Sequence, residues 1–119
     1  MATGVPTAPA SVFHAGRADA IRQVRCVLSA LASPPAVLDL TRGGVLLDVA
    51  SPLRIGSHHV CQFSVGDQSV RLPARVTHTR SLRGGGGAAS LQVGLAFRLT
   101  SRRDDAALER LARLIGGLR

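Results

Sequence analysis

Apolar residues recur at every second position through most of this chain, and this pattern restricts it to a mainly β fold. The clearest run is Leu91 to Leu99, where large apolar residues alternate with small or polar ones. Such alternation is typical of a strand with one buried face, because successive side chains point to opposite sides of a sheet. Shorter runs extend over residues 21–31, 36–40, 45–49, 61–65 and 70–76. The sequence therefore predicts about six short strands.

Turn-forming residues separate these runs. Pro34-Pro35 predicts a turn that joins the strand within Ile21 to Leu31 to the next strand as a hairpin, and Gly66-Asp67 predicts a second hairpin. Pro73 lacks an amide hydrogen, so its strand is predicted to lie at a sheet edge or to be bulged there. The run Gly84 to Gly87 is predicted to be a flexible loop.

The last part of the chain has helical rather than strand periodicity. Ser101 and Asp104 have the spacing of a capping box, and the apolar residues beyond them recur at helical intervals. These apolar residues are Leu108, Leu111, Ile115 and Leu118. We predict a helix over about 103–117 that covers the mouth or an open side of a barrel formed by about 21–100. The alternative is that this helix meets a partner protein.

Length and charge limit the class of protein. The 119 residues fit one domain, predicted over 15–119, with a flexible arm of small residues and prolines at 1–14. All 15 positive charges are arginines and the formal net charge is +8, which favours an anionic partner. Arginine is the better donor to phosphates and guanine edges, but a GC-rich coding background also favours it over lysine.

Several kinds of site and location find no support in the residue pattern. Cys26 and Cys61 alternate with apolar residues, so we expect both to be reduced core residues in a cytoplasmic protein. His58 and His59 are adjacent and would point to opposite faces of a strand, which argues against a metal site. We find no nucleophile motif, no cofactor motif, no secretory signal and no membrane span.

The segment Asp39 to Gly44, Asp-Leu-Thr-Arg-Gly-Gly, is the strongest candidate site. Asp39 and Thr41 are two residues apart, so both side chains project from one face of an extended segment. The two glycines permit close approach of other groups, and a carboxylate can accept two parallel hydrogen bonds from a guanine edge. The alternative is a polar turn in which Asp39 and Thr41 bond only to local amides.

This segment resembles the Asp/Asn-x-Ser-x-x-Gly signature of the PilZ family, bacterial modules many of which bind cyclic di-GMP. Here the signature is written Asp39-x-Thr41-x-x-Gly44, with threonine in place of serine. The segment Val93 to Phe97 resembles the Gly-x-x-Phe of a late barrel strand in that family. The resemblance covers most of the chain and implies a PilZ-like, six-stranded antiparallel β-barrel with a C-terminal α-helix.

The family also carries an Arg-x-x-x-Arg motif before its barrel, where this chain has Arg17, Arg22 and Arg25. Their separations are five and three residues rather than four. The resemblance implies that Arg22 and Arg25 bind phosphates and the Hoogsteen edge of a guanine, and that Arg17 reaches in from the arm. The alternative for Arg22 and Arg25 is a solvated strand face.

The resemblance assigns the remaining ligand contacts to the signature turn. Asp39 would hold the Watson–Crick edge of guanine, Thr41 would donate to a phosphate or base, and Arg42 would stack or pair at the rim. Gly44, beside Gly43, would leave space for the nucleotide. The complete predicted cyclic di-GMP site is Arg17, Arg22, Arg25, Asp39, Thr41, Arg42, Gly43 and Gly44.

The leading functional hypothesis is a non-enzymatic cyclic di-GMP receptor that relays the signal to a protein partner controlling motility, adhesion or biofilm formation. One alternative keeps the fold without the ligand, as a protein-interaction adaptor, and the irregular arginine spacing favours it. Another is a basic barrel that binds single-stranded nucleic acid. The scarcity of aromatic residues, with three Phe and no Trp or Tyr, argues against that barrel because it removes the usual stacking platform.

Overall fold

The computed structural model describes residues 20–83 and 89–119. It contains six strands and one C-terminal helix, α1. Their bounds are β1 (Val24–Val27), β2 (Ala36–Thr41), β3 (Gly44–Val49), β4 (His58–Val65), β5 (Gln68–Arg83), β6 (Ala89–Phe97) and α1 (Arg102–Leu114). The predicted arm at 1–14, Arg17 and the predicted loop at 84–87 lie outside the described residues.

All six strands belong to one antiparallel sheet in the order β1-β4-β5-β6-β3-β2. The two edge strands, β1 and β2, contact each other, so the sheet curls into a nearly closed barrel. The predicted mainly β fold, a PilZ-like antiparallel barrel of six strands with a C-terminal helix, is confirmed.

The barrel interior is aliphatic, as the alternation of apolar residues predicts. Inward-facing residues of all six strands form one cluster with residues of α1, and no polar or charged side chain of the described residues is buried. Phe63 is completely buried and packs edge-to-face against Phe97, with ring centroids 5.8 Å apart. Phe63 therefore lies within a core otherwise filled by Leu, Val, Ala and two Cys residues, and the half-buried Phe97 packs against that core.

The two cysteines belong to this core, as predicted. Cys26 and Cys61 are free thiols on the inner faces of β1 and β4, with 1% and 0% of their surface exposed. The side-chain hydrogen bond with Cys61, followed by burial, raises the pKa of the Cys26 thiol well above its usual range. Cys26 is therefore protonated and packs as a small apolar residue.

The prediction for the first strand was wrong in two respects. Residues 20–22 are helical, and β1 is shorter than the predicted strand at Ile21 to Leu31. In addition, β1 does not form a hairpin with β2, since it pairs with β4 through contacts such as Val24 with Val65. Residues 28–35 separate β1 from β2, and this connection is longer than the two to five residues of a typical hairpin loop.

Pro73 also departs from its prediction, because β5 is an interior strand and its bulge lies elsewhere, between Val76 and His78. The carbonyl of Pro73 accepts a hydrogen bond from the amide of Arg98 at 2.8 Å, immediately beyond the end of β6. In an antiparallel strand, the amide and the carbonyl of one residue point to the same side. An amide hydrogen at Pro73 would therefore point towards β6, at the position where the pairing of β5 with β6 ends. An interior strand therefore tolerates proline at this position.

Helix α1 begins as predicted and ends earlier. The Ser101 side chain accepts a hydrogen bond from the Asp104 amide at 3.1 Å, which caps the first turn. Gly116 and Gly117 have φ of 81° and 124°, and the Gly117 amide bonds to the Ala112 carbonyl at 2.7 Å. This glycine-dependent cap ends the helix at Leu114 rather than near residue 117.

Helix α1 packs against β5 and contributes to the core. Leu108 and Leu111 are buried, while Leu114 is half-buried against the same cluster. On its outer side, Arg110 hydrogen-bonds to Gln68 at the start of β5. The helix therefore covers the core as predicted, and its apolar stripe is used inside the domain.

Candidate functional site

A bulge in β2 sets the direction of the signature residues. The register with β3 shifts between Val37 and Asp39, which leaves Leu38 as an extra, exposed residue. Beyond the bulge, Asp39 and Thr41 both point to the outside of the barrel while Leu40 points into the core. The prediction that Asp39 and Thr41 share one face agrees with this geometry.

The turn between β2 and β3 is held by its own hydrogen bonds. Thr41 pairs with Gly44, so Arg42 and Gly43 form a two-residue connection. The Thr41 Oγ1 atom accepts from the Gly43 amide at 3.2 Å and donates to the Gly44 carbonyl at 3.5 Å. These are the local bonds of the polar-turn alternative, so the Thr41 hydroxyl already has partners within the turn.

Gly44 is required by the packing of the strands. A Cβ atom at this position would lie 2.1 Å from the carbonyl oxygen of Leu95 on β6. The nearest neighbour of a Cβ atom at Gly43 would be Thr41 Oγ1, at an ordinary 3.7 Å. The close approach of β3 and β6 therefore accounts for glycine at 44, whether or not a ligand lies nearby.

The signature residues line an open pocket of about 270 Å³ on the outer face of the barrel, called here the motif pocket. Asp39 and Thr41 form one side, and the floor includes Leu46 and the small residues Gly44, Gly94 and Ala96. The other side is formed by Thr77 and His78 of β5. The pocket thus combines a carboxylate, a hydroxyl, a flat floor and an imidazole.

Thr77 and His78 were not predicted as site residues, and the bulge in β5 explains the omission. Val70, Leu72, Ala74 and Val76 alternate into the core, so a continued period of two would place residue 78 inside as well. The register with β6 shifts after Val76, and His78 instead pairs with Gly94 on the outer face and is exposed. No turn residue or glycine at 77 signals this bulge in the sequence.

Arg22 and Arg25 line a different pocket, of about 410 Å³, called here the arginine pocket. The other described residues around it are Gln23, Ser64 and Gly66, at the ends of β1 and β4. Both arginines are exposed. The described residues that line the two pockets have no member in common. Arg17 lies outside the described residues.

Arg42 contacts the C-terminal segment, and it is not among the described residues that line the motif pocket. Its backbone amide donates to the Arg119 carbonyl at 2.7 Å, and its Nε atom donates to the Leu118 carbonyl at 3.2 Å. Its guanidinium forms an ion pair with Glu109 of α1. This hydrogen-bonded pair raises the pKa of Arg42 and lowers the pKa of Glu109. Arg42 therefore attaches the signature turn to α1 and to the end of the chain.

The fold and the motif pocket define a small β-barrel domain with an open depression on its outer surface, lined by both polar and apolar residues. A family model described as the PilZ domain matches residues 14–115. The chain therefore belongs to the PilZ domain family, as its signature residues indicated.

A solved structure agrees in fold. The chain resembles the PilZ domain of YcgR from Escherichia coli, a structure that contains c-di-GMP, with a TM-score of 0.58 and 18% sequence identity. The match covers 78% of this chain and 82% of that one. A comparison with curated proteins finds no match.

Residues 20–83 and 89–119 contain neither a metal-binding cluster nor a membrane-spanning helix. No group of three or more His, Cys, Asp or Glu side chains within these ranges is placed to hold a metal ion. No helix within them is long and apolar enough to cross a bilayer.

Proposed function

We propose that this protein is a non-enzymatic receptor for cyclic di-GMP. The observation that carries the proposal is the outward placement of Asp39 and Thr41, on the same face of β2, in the lining of an open pocket of a PilZ domain. The carboxylate can accept both hydrogen bonds of the guanine Watson–Crick edge. The c-di-GMP in the related PilZ domain of YcgR supports the same ligand class.

The ligand would use both pockets. Cyclic di-GMP has two guanines and two phosphates, so one molecule or a pair can present a base to Asp39 and phosphates to Arg22 and Arg25 at the same time. Arg25 lies on β1 and Asp39 on β2, the two strands that contact each other across the barrel seam. Arg17, from the segment before β1, would add a third guanidinium.

Calorimetric titration of the full chain with cyclic di-GMP tests the proposal. We expect Asp39→Ala and the double variant Arg22→Ala/Arg25→Ala each to weaken binding at least about tenfold, the usual scale for a lost charge-assisted hydrogen bond. Asp48→Ala removes a carboxylate from the outer face of β3 outside the pocket, and Arg71→Ala/Arg80→Ala removes two exposed charges of β5. Both controls should bind normally, and absence of binding by the unsubstituted protein would refute the proposal.

We further propose that the bound receptor relays its state to a protein partner that controls motility, adhesion or biofilm formation. The contacts of Arg42 with Glu109, Leu118 and Arg119 give a physical route, because a ligand that moves the signature turn also moves the C-terminal segment. A partner captured by the immobilised protein should change in amount when cyclic di-GMP is added. Capture that is strong and indifferent to the nucleotide would contradict this relay.

The second candidate function is a protein-interaction adaptor that does not bind cyclic di-GMP. It is favoured by the absence of Arg22 and Arg25 from the described lining of the motif pocket and by the local hydrogen bonds that already occupy Thr41. The adaptor predicts no heat with cyclic di-GMP and unchanged partner capture in Asp39→Ala. The receptor predicts the opposite result in both experiments.

A further inference from the structure

We propose that His78 is a ligand-contacting residue, on whose imidazole ring a guanine base of the nucleotide stacks. This inference rests on the proposed cyclic di-GMP binding and adds a residue on β5, far in sequence from the signature turn and from the arginines. Three observations support it: the position of His78 across the pocket from Asp39, the way its ring is held, and the lack of another ring there.

The strand register places His78 opposite Asp39 across the pocket. Asp39 on β2 pairs with Leu46 on β3, Leu46 pairs with Gly94 on β6, and Gly94 pairs with His78 on β5. These four residues form one row on the outer face. The carboxylate and the imidazole therefore belong to strands at opposite sides of the pocket, with a half-buried leucine and a glycine between them.

The His78 ring lies across Gly94 and fills the space of the missing side chain. A Cβ atom at Gly94 would be 2.0 Å from Cε1, 2.5 Å from Nε2 and 2.6 Å from Nδ1 of that ring. Three ring atoms this close place the imidazole over the Gly94 backbone, which is itself buried. The ring therefore reaches one strand inwards, to β6, and leaves about two strand spacings, ~10 Å, between β6 and β2 for a base.

Thr77 fixes this arrangement. Its Oγ1 atom donates to the Gly94 carbonyl at 3.2 Å and lies 3.3 Å from Nδ1 of His78. The bulge that makes Thr77 the extra residue of β5 also turns His78 outwards. The imidazole is thus supported on one side by backbone and exposed on the other, which suits it to stack on a planar base.

No other aromatic ring is available for this contact among the described residues that line the motif pocket. Phe63 is completely buried, and Phe97 packs against it in the core. A base held at its edge by Asp39 would otherwise contact only non-aromatic residues such as Leu46, Gly94 and Ala96. Stacking on an aromatic side chain strengthens binding by ~1–3 kcal/mol per base, or about 5- to 150-fold in affinity.

Titration of His78 variants with cyclic di-GMP tests the inference. We expect His78→Ala and His78→Gln to weaken binding at least about fivefold, because both remove the ring. His78→Phe keeps a flat ring and should stay within about threefold of the unsubstituted protein. The matched control is His58→Ala, which removes an exposed histidine from β4 outside the pocket and should bind normally. Thermal unfolding of each variant verifies that it is folded.

A substitution at Gly94 provides an independent test. The methyl group of Gly94→Ala would occupy the position of the ring and displace it, so affinity should fall about as far as in His78→Ala. In the His78→Ala background the same substitution should have little further effect, because the ring is already absent. Additive losses in this cycle would show that the glycine matters for another reason and would contradict the stacking arrangement.

The outcomes separate the two proposals. Normal binding by the unsubstituted protein together with normal binding by His78→Ala overturns the role of His78 and leaves the receptor standing. Loss in His78→Phe equal to that in His78→Ala overturns stacking in favour of a hydrogen bond from a ring nitrogen. No binding by the unsubstituted protein overturns both the receptor and the stacking contact.

Discussion

At the scale of single residues, Gly44 can be used to test whether the glycine of the signature turn is needed for strand packing or for ligand binding. Its added Cβ would lie 2.1 Å from the Leu95 carbonyl oxygen, so Gly44→Ala must push β3 and β6 apart. We expect a loss of about 1–3 kcal/mol in the free energy of unfolding, the usual range for overpacking. Urea unfolding measures this loss.

The adjacent glycine is the control for this prediction. Gly43→Ala meets only Thr41 Oγ1 at 3.7 Å and should change the unfolding midpoint much less. Equal midpoints for the two variants would contradict the assignment of Gly44 to strand packing. If Gly44→Ala folds but is weakened, any loss of nucleotide binding must be judged against that lower stability.

The site residues differ in how far the sequence could predict them. Asp39 and Thr41 were placed on one face correctly, because that statement needs only the period of two along one strand. His78 was missed because the bulge at Thr77 reverses the side to which the following residues point. The partners of Arg42 were missed as well, since Glu109 is 67 residues away in sequence and meets it only through the packing of α1.

At the scale of structural elements, the Arg42–Glu109 pair attaches the β2–β3 turn to α1. The hydrogen bond from Arg42, followed by its charge, lowers the pKa of Glu109. A carboxyl whose pKa is lowered in the folded state stabilises the fold above its ordinary pKa, and this contribution is lost as the pH falls through the lowered value. The attachment should therefore weaken only in acid.

Titration of the Glu109 side-chain carboxyl by NMR measures this coupling. We expect the pKa of Glu109 to move up towards the usual glutamate value in Arg42→Gln, which keeps a polar side chain and removes the charge. Arg113→Gln is the matched control, because Arg113 lowers the same pKa only through longer-range charge attraction and should have a smaller effect. A Glu109 pKa unchanged by Arg42→Gln would mean that the ion pair does not form in solution.

Element types were predicted better than their pairing. Alternation identified the strands, and Ser101 with Asp104 marked the start of α1, because these signals are local. The pairing of β1 with β4 joins segments that are far apart in sequence, and the Pro34-Pro35 turn gives no indication of it. The end of α1 was predictable in principle from Gly116 and Gly117, whose positive φ angles form the cap.

At the scale of the whole molecule, the barrel and α1 share one core. The helix also connects the signature turn, through Arg42, to the C-terminal segment, which are the two ends of the proposed signalling route. Leu111 is completely buried in the same cluster as the strand residues. Arg42 links the signature turn to the outer surface of this helix through Glu109. A helix that belongs to the core in this way should unfold together with the barrel rather than before it.

Leu111→Ala tests this cooperativity. Removal of a fully buried leucine side chain should lower the free energy of unfolding by about 2–5 kcal/mol. Hydrogen exchange should then accelerate equally in α1 and in the interior strand β6, because one transition opens both. Arg113→Ala, an exposed residue of the same helix, should leave exchange in both elements unchanged. Faster exchange confined to α1 in the Leu111 variant would show that the helix unfolds separately from the barrel. A change in the C-terminal segment would then reflect unfolding of α1 rather than ligand binding at the motif pocket.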